Sequence, residues 1–261
     1  MKLQKISTQI SPFAGISFVH NAFIKVGMSQ LIDNELGSRV KTVGFSHSDI
    51  LKNLMCVFYS GGDCAEDIQT HLGKHLKSIP GNRVRSADTI LRGIKELAIP
   101  NQTYISKQGK SYDFNVNTRL NQLNIKSLLL TNQLKSDTDY DFDYDNQIIA
   151  TEKYDTKRTY KQYNGYFPGV ATIGNKIVYI ENRDGNAHVK FEQESTLSRA
   201  FDLLNENGIK INRSRMDAGS YSKEIIKVVA SNSKLFYIRA NKSVALFKAN
   251  NRNQEVGNGR N

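Results

Sequence analysis

Cysteine is scarce: Cys56 and Cys64 are the only two in 261 residues. Two cysteines cannot build a disulfide framework, and a reducing compartment suits them. No Cys-x-x-Cys knuckle occurs, so Cys64 with His71 and His75, four residues apart on one prospective helical face, falls short of a zinc-finger pattern. No uninterrupted apolar run reaches membrane-spanning length. Residues 1–10 are polar and amphipathic rather than a basic start leading into an apolar run, so no secretory leader is expected. These absences together predict a cytoplasmic protein with no membrane partner. No period of repeat-protein length is found either.

What is present is enough to fold. Hydrophobic residues make up 39 % of the chain and charged residues 23 %, a balance that suits one large or two small domains. The net charge is +11 and the pI near 9.5, despite a strongly acidic segment, so the rest of the surface must be more basic still. A polyanion is the natural partner, and nucleic acid is preferred over an acidic membrane because no basic amphipathic helix stands out. A merely lysine-rich surface is the alternative.

Residues 13–98 read as helical, with Ile16, Val19, Phe23 and Val26 first and Leu31, Ile32 and Leu36 next. His47 or Ser48 is the expected cap of a helix through Ile50, Leu51, Leu54, Met55 and Phe58, which stops at the Gly61-Gly62 pair. Ser86 is the expected cap of another, with Asp88 suited to its dipole and Ile90, Leu91, Ile94 and Leu97 on one face. Arg83 and Arg85 precede this helix, and Arg92 and Lys95 lie on its outer side, as a helix docking on DNA phosphates requires; a solvated basic face is the plain alternative. Residues 102–113 read as a polar loop and 117–134 as a further helix.

The period then changes from helical to extended. In residues 137–145, Asp137, Asp139, Asp141, Asp143 and Asp145 alternate with Thr138, Tyr140, Phe142 and Tyr144. As a strand this puts carboxylates on one side and aromatics on the other, and it repels itself unless cations sit opposite. Asp137 to Asp141 read as a solvated approach and edge, and the last one or two carboxylates as candidates to hold a divalent metal. Strands are expected at 142–150, 169–173 and 176–181, the last two joined by a Gly174-Asn175 turn. A helix at 192–205, a strand at 209–216, a helix at 223–230 and a strand at 235–240 follow. From Asn241 the composition is polar and reads as a disordered tail.

Asp145 lies in the first of these strands and Asp217 closes the fourth. If those strands are neighbours, the two carboxylates meet at one sheet edge, where hard oxygen ligands can hold Mg²⁺ or Mn²⁺ for phosphodiester chemistry.

Several short segments together resemble one family, the DDE transposases of bacterial insertion sequences, group 1 type. They are Gly44-Phe45-Ser46-His47-Ser48-Asp49, Ser60-Gly61-Gly62-Asp63, Phe142-Asp143-Tyr144-Asp145, Tyr163-Asn164-Gly165-Tyr166-Phe167-Pro168, Arg183-Asp184-Gly185-Asn186 and Arg215-Met216-Asp217-Ala218-Gly219. They occur in the family's order and cover nearly the whole chain up to Asn241. The resemblance implies an α/β (α+β) fold: an RNase H-like core at 137–240, preceded by an all-helical DNA-binding region at 1–136 and followed by the tail at 241–261. It implies that Asp145 and Asp217 are catalytic, with Asp143 in reserve as a metal ligand, and that Mg²⁺ or Mn²⁺ is the cofactor. The partner it implies is double-stranded DNA at transposon terminal repeats, bound by a homodimer near the nucleoid. Arg183 and Asn186 are expected near that DNA, with a hairpin turn stabilised by Gly185 as the equal alternative. Lys153, Lys157, Arg158 and Lys161 interleave with Tyr154, Tyr160 and Tyr163, as backbone contact plus base stacking requires, although an exposed loop would look the same. One feature departs from the family. Its third carboxylate, a Glu on a later helix, has no counterpart, since Glu255 lacks a helical apolar setting. The expectation is therefore an incomplete core that binds DNA and cleaves it weakly. The alternatives are a non-catalytic fragment that inhibits the full-length enzyme and an unstable product of a degraded gene.

Overall fold

The computed structural model describes residues 11–39 and 44–240. The expected tail at 241–261, with Glu255, lies outside the described residues. The chain divides into two compact units, the first made of residues up to 100 together with 117–135, the second of 101–116 together with 136 onward.

The first unit is helical: α1 (Ile16–Lys25), α2 (Met28–Leu36), α3 (His47–Tyr59), a π-helical turn (Ile68–Leu72), α4 (Gly73–Lys77), α5 (Ala87–Lys95) and α6 (Thr118–Leu130). The cap of α3 is Ser46, one residue before the expected pair; its hydroxyl accepts from the Asp49 amide. Ser86 caps α5 as expected, accepting from Thr89 N. Apolar residues at helical spacing close two cores, one around Ile50, Val57, Ile68, Leu76 and Ile90, the other around Phe23, Ile32, Leu36 and Leu123. Gly93 lets α5 lie directly on α3, because a Cβ there would stand 2.7 Å from Ile50 Cγ1.

The second unit is mixed α/β. Its seven-stranded sheet has the order β1 (Gln102–Ile105), β2 (Ser111–Asn115), β8 (Lys176–Arg183), β7 (Gly169–Ile173), β3 (Asp139–Asn146), β9 (Lys210–Met216), β10 (Leu235–Ile238). The pairs β3–β7 and β7–β8 are antiparallel, whereas β9 runs parallel to β3 and β10 parallel to β9. Helices α7 (Gln193–Glu206) and α8 (Lys223–Asn232) make the crossovers into β9 and β10. Phe142 and Phe201 stack at 4.7 Å between β3 and α7. A small second sheet, β4 (Ile149–Ala150), β6 (Asn164–Tyr166) and β5 (Lys157–Arg158), stands beside it.

Two expectations are corrected. Residues 102–115 are a hairpin rather than a polar loop, so the segment before residue 136 is not all helical. The hairpin extends the large sheet through Phe114 opposite Arg183 and Asn115 opposite Asn182. The acidic strand is no solvated edge but a central strand. Its cations come from the neighbouring strand and the entry to β10: Arg213 grips Asp141 at 2.9 and 2.6 Å, Arg215 grips Asp143 at 2.7 and 2.6 Å, Lys210 meets Asp137 at 3.1 Å, and Lys234 pairs with Asp139. Parallel register sets each arginine beside its aspartate, Asp141 opposite Arg213 and Asp143 opposite Arg215. Arg213 holds the Asp141 carboxyl below its ordinary range, first by hydrogen bonding and then by charge.

Candidate dicarboxylate site

Past the ladder, β3 and β9 each carry one more acid. Tyr144 is opposite Met216, so Asp145 and Asp217 follow at the same end of neighbouring parallel strands. Both side chains are exposed and line one cavity of about 530 Å³. Unlike the aspartates before them, neither forms an ion pair among the described residues. Asp145 Oδ1 accepts from the Asn146 amide and Asp217 Oδ1 from the Gly219 amide, both at 2.8 Å, which leaves one oxygen of each without a protein partner among the described residues. Burial, and then the neighbouring Asp217 charge, raise the Asp145 carboxyl above its ordinary value. Two carboxylates at the ends of adjacent strands, with no ion pair to either among the described residues, fit a hard divalent ion.

Asp143 lies on the same face, but Arg215 occupies both its oxygens. In the cavity wall, among the described residues, Asp145 and Asp217 are the acids, and Arg158, Asn186 and His188 add polar groups.

The same cavity is lined by the loop after β8. Asp184 opens it, buried and raised above the ordinary carboxylate range by desolvation, with its Oδ2 accepting the Asp113 amide at 3.0 Å. Gly185 is required by close approach, since a Cβ there would stand 2.2 Å from Gly165 O and 2.6 Å from Lys157 O. That approach fastens the loop to the small sheet, whose Arg158 reaches the cavity.

Arg183 is not at a DNA surface, which corrects its expected role. It is fully buried, with its guanidinium 4.3 Å from the Phe114 ring centre. It donates to Val189 O at 3.2 Å, to His188 O at 3.5 Å and to Phe191 O. Desolvation lowers its affinity for its proton. Arg183 shapes the loop from within, and the hairpin read as a polar loop supplies the ring it rests on.

Set against known proteins, the chain matches no family model and no curated relative.

The remaining basic candidates separate by position. Lys153, Lys157, Arg158 and Lys161 are exposed, as are Tyr154, Tyr160 and Tyr163, on or beside the small sheet. Arg92 and Lys95 are exposed on α5. Arg83 and Arg85 are engaged with Phe45, their guanidinium carbons 4.9 and 3.0 Å from its ring centre, and Arg83 also meets Asp49 at 3.4 Å. Cys64 shares reach of a single ion with Asp63 and Asp67 rather than with His71 and His75. Asp67 there accepts the amides of Asp63 and Cys64 at 3.0 and 3.3 Å, which makes it a turn cap. His75 instead packs edge-on against Phe13, with ring centres 5.4 Å apart. No helix among the described residues is long and apolar enough to cross a membrane.

His188 was not foreseen. Its only sequence signal is its place two residues after Asn186, and nothing in the spacing indicates that the loop folds back onto the two acids.

Proposed function

We propose that the chain is a DNA transposase with an RNase H-like core, which cleaves and rejoins DNA at transposon terminal repeats with Mg²⁺ or Mn²⁺. The observation that carries the reading is a contrast among the aspartates of β3 and its surroundings. Asp137, Asp139, Asp141 and Asp143 are each matched by a cation, while Asp145 and Asp217, at the ends of adjacent parallel strands, are matched by none among the described residues and share a cavity. The strand order supports the core assignment, with an antiparallel meander followed by two helix–strand units that run parallel to its first strand.

Asp145 and Asp217 would hold the metal through their free oxygens. Once bound, the ion supplies activation of a water or 3′-hydroxyl and neutralisation of charge at the leaving oxygen. The protein supplies position: β3 and β9 fix the carboxylates, Arg158 offers a cation to a phosphate in the same cavity, and the exposed lysines and tyrosines of the small sheet carry the adjoining strand. With two acids rather than three in the wall among the described residues, cleavage is expected to be slow. A supercoiled-plasmid nicking assay tests this: slow Mn²⁺-dependent nicking should vanish in Asp145→Ala and Asp217→Ala. Nicking that persists in both variants would refute the site.

A second reading, DNA binding without cleavage and inhibition of a full-length enzyme, draws on the exposed basic and aromatic residues around β5, which need no metal. It predicts salt-dependent DNA binding unchanged by either Asp→Ala substitution, and binding indifferent to salt would sink it.

A further inference from the structure

His188 lines the same cavity as the two acids, and one ring nitrogen has a partner. The Lys190 amide donates to His188 Nδ1 at 3.2 Å. A nitrogen that accepts an N–H carries its lone pair there, so the neutral ring bears its proton on Nε2. Nε2 makes no bond to the protein among the described residues. A histidine that ligates metal is held the opposite way, donating Nδ1–H to a carbonyl or carboxylate so that the Nε2 lone pair faces the ion.

The backbone that carries the ring is clamped, although the imidazole itself is exposed. Arg183 binds the carbonyls of His188, Val189 and Phe191 from inside, and Lys190 Nζ donates to Tyr221 O at 2.7 Å, just past the turn that Asp217 caps. A Cβ on Gly219 would stand 2.9 Å from Asp217 Oδ1 and 3.3 Å from Val189 Cγ1, so the loop and the Asp217 turn are in close register.

We propose that His188 donates a hydrogen bond from Nε2 to a non-bridging oxygen of a nucleic-acid phosphate held at the Asp145–Asp217 cavity, and that it is not a metal ligand. This rests on the reading of that cavity as a phosphodiester site. The geometry separates the duties: acids for the cation, and Arg158 and His188 as donors for the anion. His188 therefore does not replace a third carboxylate.

Imidazole ¹⁵N NMR on the full chain, with titrations of the dinucleotide TpT in Mg²⁺, tests it. The neutral ring should show the Nε2–H form, and Zn²⁺ should leave that nitrogen protonated. His188→Ala should weaken TpT binding by roughly ten-fold, the scale of one hydrogen bond to a charged group, while His188→Gln, which keeps an N–H donor, should lose less than about three-fold. An Nδ1–H form, coordination of Nε2 by Zn²⁺, or equal TpT affinity in all three proteins would overturn the proposal. The tautomer is read on the unmutated protein, so a poorly folded variant does not mask the answer. Failure of the metal reading shows differently: TpT affinity in the unmutated protein and in Asp145→Ala would then be the same with and without Mg²⁺.

Discussion

Substituting Asp217→Asn should act in opposite directions with and without metal. Adjacent strands lie about 4.8 Å apart, which sets carboxylates at their ends roughly 5–7 Å from one another. At an effective dielectric of about 40–80, two unit charges at that range repel by about 0.6–1.7 kcal/mol. The exposure of Asp145 and its screening by solvent favour the lower figure. Removing the Asp217 charge should then stabilise the metal-free second unit by under about 1 kcal/mol and raise its unfolding midpoint by about 1–3 °C. The sign with pH follows from the raised Asp145 carboxyl. Between its ordinary and raised values the folded state holds more protons than the unfolded one, so stability falls as pH rises through that window and stays lowered above it. The advantage of Asp217→Asn is full at pH 7 and fades as the pH falls through the carboxylate range. With Mn²⁺ at about a hundred times its dissociation constant the unmutated protein gains about 2.7 kcal/mol, whereas the variant, short of one anionic ligand, gains little. Thermal unfolding at pH 7 and pH 4, in EDTA and in Mn²⁺, reads all four conditions. A variant less stable than the unmutated protein in EDTA, or one equally stabilised by Mn²⁺, would refute the reasoning.

The ion-pair ladder gives a second expectation. Arg215→Ala should lower stability by leaving Asp143 uncompensated beside Asp141 and Asp145, with a loss that shrinks at high salt, as urea unfolding at two ionic strengths would show. Because Arg213 holds the Asp141 carboxyl low, that pair contributes stability above the ordinary carboxylate value and loses it as pH falls through the depressed one. Arg183→Ala and Arg158→Ala should separate structure from binding: the first should unfold the second unit more easily by about 3 kcal/mol or more while leaving the salt slope of DNA binding unchanged. The second should leave stability within about 0.5 kcal/mol and reduce that slope by about one. Gly185→Ala should cost about 2 kcal/mol or more in chemical unfolding, because its Cβ would meet backbone oxygens that cannot step aside.

The local signals were legible. Period 3.6 in the first unit, Ser86 as a cap, Gly174-Asn175 as a turn and the alternation of residues 137–145 each depend on neighbours a few positions away, and the sequence by itself determined them. It also determined that alternating carboxylates would share one face of a strand, realised from Asp139 to Asp145 with Asp137 just outside it, and that cations must answer them. Which cations do so depended on tertiary structure. Lys210, Arg213, Arg215 and Lys234 come from some seventy to ninety-five positions later, and parallel pairing of β3 with β9 sets the first three beside their aspartates, while β10 on β9 brings in Lys234. The same pairing decided which aspartates are spent on the fold and which, Asp145 and Asp217, are left over at its end. The roles of Arg183 and His188 were out of reach of spacing for a related reason. A hairpin of mainly polar composition, residues 102–115, adds to the sheet and places Phe114 under Arg183, and the loop that Arg183 binds then brings a histidine into the cavity lined by two acids from other strands. A residue's chemistry is written in the chain, but whether its charge is neutralised, buried or left to face a ligand depends on partners that only the folded sheet assembles.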